Sequence, residues 1–128
     1  QLLANYIIYG EEVVKNNIKL KENALKNYKE DPVSSIEMMK EAVEIITDNV
    51  QDYQTLIEML FFQQSYSDVI ENYKTLQTLG LNTVTYKTVE LIVISYLNLN
   101  DIQNGCYLAQ VLKDGKYKYS PSIDLVCK

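Results

Sequence analysis

Residues 53–79 constrain the fold of this chain more than any other stretch, because two apolar stripes follow each other there with a short turn between them. Apolar side chains spaced i, i+3, i+4, i+7 lie on one face of a 3.6-residue period. The stretch therefore predicts a hairpin of two amphipathic helices. The stripes are Tyr53, Leu56, Ile57, Leu60 and Phe61, then Tyr66, Val69, Ile70, Tyr73, Leu76 and Leu79.

The turn inside this hairpin and the end of its second helix have their own signals. Ser65 and Asp68 stand in the Ser-x-x-Asp order of a capping box, which satisfies the exposed amides at a helix start. Gly80 follows the second stripe, where a left-handed residue often closes a helix. We expect the second helix to begin after Ser65 and to end before Gly80.

Helices are also predicted before the hairpin. Residues 2–28 carry a long helical pattern that Gly10 interrupts, at a cost of about 1 kcal/mol relative to alanine, so we expect a kink or break there. Asp31 is a good N-cap and Pro32 suits the first helical position, which predicts a helix reaching about residue 48. Asn49 is the expected cap of the helix that carries Tyr53.

After the hairpin, residues 86–99 are apolar nearly all round, which is typical of a helix packed on several sides. The β-branched run at residues 92–94 allows a buried strand instead, but nothing else in the chain supplies strands to pair with it. Asp101 is the predicted cap of a helix over residues 102–113. Gly105 lies inside that helix, and we expect it to permit close approach of a neighbouring backbone.

The charge and composition of the chain argue against several classes of function. The twelve cationic residues are all lysine, there is no histidine or tryptophan, and the net charge is −5. This balance disfavours nucleic acid and anionic membranes, which clustered cations bind. Without histidine the usual base for a nucleophile is missing, and no Gly-rich phosphate loop occurs. We expect no enzyme activity, no cofactor and no metal site.

The two cysteines, Cys106 and Cys127, are too few and too far apart to be a disulfide framework. They also cannot complete a four-ligand zinc site without histidine. We therefore expect both to be reduced and to behave as small apolar residues.

The sequence predicts one domain of 128 residues, divided into N-terminal helices (1–49), a first repeat (50–82), a second repeat (83–113) and a tail or the start of a further helix (114–128). The longest apolar run, residues 91–97, is far shorter than the roughly 20 residues of a membrane helix, so no membrane insertion is expected. We expect a cytoplasmic location. The chain starts at Gln1 without methionine, which we interpret as a piece of a longer protein.

The two repeats are related by a constant offset of 36 residues. The matched pairs are Tyr53 with Val89, Leu56 with Ile92, Leu60 with Tyr96, Tyr66 with Ile102, Tyr73 with Ala109 and Leu76 with Leu112.

Over residues 50–113 the chain resembles a tetratricopeptide repeat protein. The resemblance rests on the large residues of the first helix, the aromatic at the turn and the apolar positions of the second helix: Tyr53, Leu56, Leu60, Tyr66, Val69, Tyr73 and Leu76. The pattern departs from the family where Ile57 and Val93 replace a small residue and Leu81 replaces a closing proline. The resemblance implies an all-α fold, in which antiparallel helical hairpins stack as a short right-handed superhelix.

A second resemblance is to pentatricopeptide repeats. The openings at residues 53–57 and 85–89 and the Gly80-Leu81 pair echo that family, which binds single-stranded RNA, one base per repeat. RNA binding through Thr55 and Thr88 is therefore an alternative function. Against it, the segment from Tyr86 to Ile102 is three residues longer than the corresponding segment from Tyr53 to Tyr66. The chain also has no arginine.

The tetratricopeptide resemblance implies a scaffold that binds a peptide or a helix of another protein in a groove lined by the first helix of each repeat. The expected partner-facing residues are Gln54, Glu58, Phe62, Lys87 and Glu90. A third alternative is a purely structural piece of a larger solenoid, because solenoid repeats contact only their neighbours. Self-association through exposed repeat ends is a further expected contact.

Overall fold

The computed structural model describes residues 5, 9–80 and 84–127, and the regular secondary structure in these ranges is entirely helical. Residues 91–97 lie inside a helix, so the helical interpretation is confirmed and the strand alternative is wrong. No helix in the described ranges is long and apolar enough to cross a bilayer. The helices are α1 (Glu11–Asn27), α2 (Pro32–Ile45), α3 (Val50–Phe62), α4 (Tyr66–Thr78), α5 (Tyr86–Asn98), α6 (Ile102–Asp114) and α7 (Pro121–Val126).

Three of the predicted N-caps form their hydrogen bonds. The amide of Ser34 donates to Asp31 Oδ1 over 3.1 Å, and the amide of Asp52 donates to Asn49 Oδ1 over 3.2 Å. The amide of Asn104 donates to Asp101 Oδ1 over 3.3 Å. These caps act within a single turn of helix, which is why the local sequence was sufficient to predict them.

Other local predictions need correction. Ser65 is the N-cap of α4 as expected, but its side chain accepts no capping hydrogen bond, so the predicted capping box is wrong. Helix α2 ends at Ile45, earlier than the predicted residue 48. Gly105 does have a close neighbour, but it is the side chain of Leu97 rather than a backbone: a Cβ added there would lie 2.7 Å from Leu97 Cδ2.

Glycine with a positive φ lies at the predicted break and at the predicted end of the second hairpin helix. Gly10 has φ 87° and directly precedes α1, and Gly80 has φ 72° after α4. Both are left-handed conformations that a side chain disfavours. Most of the predicted pattern before Gly10, and residues 81–83 of the predicted connector before α5, lie outside the described residues.

Each helix packs against the next along the chain, and α3 also packs against α5, the first helix of the following hairpin. The core lies where these contacts meet, with Leu56, Ile57, Ile92 and Leu112 at 0% exposure. Ile57 and Val93, which stand where the tetratricopeptide pattern has a small residue, are both fully buried in this core. The described helices therefore form one packed all-α unit, in which α3 contacts both α4 and α5.

Polar side chains also join α1 to the helices after it. Lys21 Nζ donates to Asp52 Oδ2 over 3.1 Å, and the hydroxyl of Tyr28 donates to the carbonyl of Met59 over 3.1 Å. The buried amide of Asn17 donates to the carbonyl of Ala42 over 2.8 Å. The N-terminal helices are therefore part of the same packed unit as the two repeats.

The expectation for the cysteines is wrong, because Cys106 and Cys127 form a disulfide. Helix α7 turns back against α6, buries Ile123, and so brings two residues 21 positions apart to a Cα–Cα distance of 5.3 Å. Sequence separation alone did not reveal this proximity, because it depends on how α7 docks.

Candidate functional site

A groove lies between α4 and α6, the second helices of two successive hairpins, with α5 as its floor. It consists of two adjoining cavities of about 490 Å³ and about 280 Å³ that share Tyr73, Gln77, Tyr107 and Leu108. We call it the tyrosine groove. Its full lining is Tyr73, Lys74, Leu76, Gln77, Val84, Tyr86, Val89, Tyr96, Asn104, Tyr107, Leu108 and Val111.

Aromatic rings form the walls of the tyrosine groove. Tyr107 on α6 is 71% exposed and Tyr86 at the start of α5 is 46% exposed. Tyr73 on α4 packs edge-on against the buried ring of Tyr96, with centroids 6.5 Å apart. Exposed aromatic side chains beside a cavity are typical of sites that bind apolar groups of a partner, since they supply large contact area at a small cost in side-chain entropy.

The larger cavity is the apolar end of the groove. Leu76, Val84, Val89 and Val111 surround it together with the tyrosine rings, and none of the described residues in its lining is charged. Val111 is 41% exposed, although it lies on a helix that buries its neighbour Leu112 completely. Such an end suits an apolar side chain.

The smaller cavity is the polar end of the groove, where Lys74 and Asn104 join the tyrosines. Gln77 Nε2 donates to the hydroxyl of Tyr73 over 3.2 Å. Burial and, secondarily, the nearby Tyr107 raise the pKa of Tyr73 above its ordinary value. Its hydroxyl therefore keeps its proton at neutral pH and is available as a donor.

Comparisons with models of known protein families, with curated proteins and with solved structures gave no match. The site must therefore be interpreted from its own chemistry. Within the described ranges, no group of three or more acidic and cysteine side chains is arranged to hold a metal ion.

Two of the five predicted partner-facing residues are engaged inside the fold. Gln54 is 6% exposed, and its Oε1 accepts a 2.7 Å hydrogen bond from the amide of Thr85. Glu90 is half-buried; its carboxylate accepts from the hydroxyl of Tyr117 over 3.2 Å and from the amide of Ser120 over 2.7 Å. Both side chains stabilise the start of a later helix rather than standing free for a partner.

The other three are spread along two helices, with Glu58 and Phe62 one turn apart on α3 and Lys87 at the start of α5. Glu58 is half-buried, Lys87 is exposed in the first turn of α5, and Phe62 is 67% exposed at the last residue of α3. The hydrogen bond between Gln54 and Thr85 fixes the starts of α3 and α5 side by side. Phe62 lies eight residues beyond Gln54, about 12 Å along the helix axis, and so at the opposite end from Lys87.

The two residues expected to contact bases if the chain binds RNA are buried or half-buried in the fold. Thr88 is 1% exposed, and its hydroxyl lies 3.1 Å from that of Thr85. Thr55 is half-buried, and its hydroxyl donates to the carbonyl of Gln51 over 3.0 Å. In this fold Thr88 has no surface from which to contact a base.

Sequence reasoning missed the tyrosine groove because its walls do not follow the repeat. Tyr73 and Tyr107 are 34 residues apart, whereas the matched repeat positions are 36 apart. One signal was present: Tyr107 is a large aromatic that lies off the apolar stripe formed by Cys106, Ala109 and Leu112. An aromatic away from the core stripe of its helix indicates either a ligand contact or packing against another element.

A second groove occupies the corresponding position one hairpin earlier, between α2 and α4. It has a volume of about 310 Å³, and its charged lining residues are Lys40, Glu44, Asp68 and Glu71. Three carboxylates and one ammonium make it acidic. The two grooves thus have the same architecture and different electrostatics.

Proposed function

We propose that this chain is a non-catalytic scaffold that binds a short segment of another protein in the tyrosine groove. The observation that carries the proposal is Tyr107, a large aromatic side chain that is 71% exposed beside an uncharged cavity of about 490 Å³. Aromatic residues at the centre of a concave apolar surface commonly supply most of the binding free energy at protein interfaces.

The chemistry of the groove supports a peptide as its ligand. The apolar end offers room for an anchoring side chain, and Gln77, Asn104 and the tyrosine hydroxyls offer hydrogen-bond partners for a backbone. A site with few polar groups around an apolar cavity orients such a segment without requiring charge.

A right-handed, tetratricopeptide-like superhelix is our proposal for how the hairpins are stacked. The 36-residue repeat and the contact between α3 and α5 support it. In this proposal the groove lies between second helices of successive hairpins, instead of along the first-helix faces expected from the sequence.

The cellular location is proposed on the basis of the disulfide. Disulfides persist in oxidising compartments and are rare in the cytosol. The pairing of Cys106 with Cys127 therefore favours an oxidising compartment over the cytoplasmic location expected from the sequence.

The test compares two exposed aromatic residues in different places. Peptides that bind the chain would be selected from a phage-displayed library of random short sequences, and their affinities measured for Tyr107→Ala and Phe62→Ala. Phe62 is a matched control because it is 67% exposed, close to the value for Tyr107. Circular dichroism of both variants checks that the helices remain.

We expect Tyr107→Ala to weaken the selected peptides about 10-fold or more, the loss typical of an aromatic hot spot, and Phe62→Ala to leave them unchanged. Failure to select any binder would contradict the proposed function. Affinities that depend on Phe62 and not on Tyr107 would overturn the groove assignment and favour the first-helix face.

A further inference from the structure

We propose that the segment bound in the tyrosine groove carries an acidic side chain beside its apolar anchor, with the anchor in the apolar end and the carboxylate against Lys74. This inference rests on the proposed function and specifies the partner. It follows from the charge and the free hydrogen-bond donors of the polar end.

Among the described residues that line the groove, Lys74 is the one that carries a charge. Its side chain is exposed, and among the described residues the ion pairs within 4.0 Å involve Lys15, Lys21 and Lys40 and leave Lys74 out. The nearest acid along α4, Glu71, is one turn away and lines the groove between α2 and α4 instead. An ammonium in the wall of the tyrosine groove favours an anionic group of a ligand at that position, although the chain as a whole is acidic.

Hydroxyl donors reinforce this preference. The oxygen of Tyr73 already accepts from Gln77 Nε2, so its own proton is available to an acceptor in the cavity. Tyr107 lines the same cavity, and within the described part of the chain its hydroxyl has no hydrogen-bond partner. An ammonium and two hydroxyl groups suit a carboxylate, whose two oxygens accept several hydrogen bonds.

A second acid close to the groove, whose charge acts on Tyr96 in the groove wall, is already engaged. Asp101 precedes α6, and its two carboxylate oxygens accept from the backbone amide and from Nδ2 of Asn104, over 3.3 Å and 2.8 Å. Its charge is therefore directed to the start of α6. Among the described residues, neither Asp101 nor Glu71 forms an ion pair with Lys74.

The acidic groove between α2 and α4 should repel the same ligand, so an acidic segment should bind the tyrosine groove in preference to it. An acidic segment would face Glu44, Asp68 and Glu71 there. The one ammonium in the described lining, Lys40, already pairs with Glu37 over 3.7 Å, so like charges dominate and disfavour binding. The same ligand would meet an ammonium and no carboxylate in the lining of the tyrosine groove. Repulsion at one groove and attraction at the other would direct the segment to α4 and α6.

The groove also sets the spacing of the two anchors. Asn104 at the polar end and Val111 at the apolar end are seven residues apart on α6, which corresponds to about 10 Å. An extended peptide covers about 3.3 Å per residue. The acidic and apolar residues of an extended ligand should therefore lie about three positions apart.

The test uses three synthetic peptides: Glu-Ser-Gly-Phe-Gly-Ser-Glu and the versions in which both Glu residues are Gln or Lys. The design is symmetrical, so it holds for either direction of binding. Affinity is measured by nuclear magnetic resonance titration of the isotope-labelled chain at low salt, for the wild type, Lys74→Glu, Lys87→Glu and Tyr107→Ala. Lys87 is the control because it is an exposed lysine outside the groove lining.

For the wild type and Lys87→Glu we expect the Glu peptide to bind roughly threefold or more tightly than the Gln peptide, and the Lys peptide to bind most weakly. In Lys74→Glu the order should reverse. Equal affinities of the three peptides, with binding that Tyr107→Ala abolishes, would overturn the acidic preference and leave the proposed function intact. No binding of any peptide, or binding that Tyr107→Ala does not change, would count against both.

Discussion

Gln54 on α3 holds the start of α5: the amide of Thr85 donates to its Oε1 over 2.7 Å. The bond joins residues 31 positions apart and connects the first helices of two successive hairpins. Gln54 Nε2 in turn donates to Gln51 Oε1 over 3.2 Å, which orients the amide group. A polar residue on the side of α3 opposite its core stripe thus sets the position of the second repeat.

Replacing Gln54 with methionine should therefore destabilise the chain. Methionine keeps the length of the side chain and leaves the amide of Thr85 without its acceptor. We expect Gln54→Met to lower the free energy of unfolding by about 1 kcal/mol in urea denaturation. The control is Gln103→Met at an exposed position of α6, for which we expect less than about 0.5 kcal/mol. Equal effects of the two variants would show that the bond to Thr85 contributes nothing.

The ion pair between Lys21 and Asp52 should make stability depend on pH. Burial raises the pKa of Asp52 above its ordinary value, and the hydrogen bond and charge of Lys21 lower it in part. Because the folded-state pKa is raised, ionisation of Asp52 opposes folding, and this cost appears as pH rises from about 3.8 through the folded pKa. Without Lys21 the pKa should rise further.

We expect Lys21→Met to lower the free energy of unfolding by roughly 1–3 kcal/mol at pH 7, because it leaves a buried carboxylate unpaired. The loss should shrink as pH falls through the raised pKa of Asp52 in the variant, because the protonated side chain no longer needs the ammonium. Urea denaturation at several pH values measures both effects. The control is Lys15→Met: Lys15 and its partner Glu11 are 63% and 70% exposed, so the loss should be below about 1 kcal/mol at either pH. A loss for Lys21→Met that does not change with pH would contradict this account.

The disulfide between Cys106 and Cys127 is directly testable by alkylation. The chain, denatured without reductant, should take up no iodoacetamide, and after reduction it should take up two equivalents, as measured by mass spectrometry. In the chain-entropy account, a loop of this length contributes about 3 kcal/mol, so reduction should also lower the denaturation midpoint. Two reactive thiols in chain purified under oxidising conditions would refute the pairing.

Gly105 is expected to resist replacement by alanine, although alanine is favoured over glycine by about 1 kcal/mol inside a helix. A Cβ there would lie 2.7 Å from Leu97 Cδ2 and 3.3 Å from Tyr96 Cβ. We expect Gly105→Ala to cost roughly 1–2 kcal/mol through overpacking. In a Leu97→Ala background the same change should cost less, giving a coupling energy above about 0.5 kcal/mol in a double-mutant cycle. Additive effects would mean that Leu97 is not the obstacle.

The sequence was informative wherever structure depends on a few adjacent residues. Asp31, Asn49 and Asp101 cap their helices as predicted, because an N-cap needs only the amides of the next turn. It was misleading where a side chain forms a hydrogen bond with a distant part of the chain. Gln54 and Glu90 lie opposite the core stripes of their helices, yet each accepts a hydrogen bond from a backbone amide about 30 residues away. Only the stacking of hairpins decides which polar residues are internal.

The tyrosine groove and the disulfide were missed for the same reason. Tyr73 and Tyr107 become neighbours through the packing of α4, α5 and α6, and Cys127 reaches Cys106 through the docking of α7. None of these relationships leaves a periodic pattern in the sequence. Helical periodicity indicates which face of a helix is apolar, but it does not indicate which helix will cover that face.

The concentration of tyrosine in the groove has an optical consequence. The chain contains eleven tyrosines and no tryptophan, and Tyr73, Tyr86 and Tyr107 all line the groove. A peptide anchored by tryptophan would therefore bring the single indole of the complex next to these rings. Excitation of tyrosine would then produce emission from the bound tryptophan by energy transfer, so occupancy can be followed without attaching a dye to the protein.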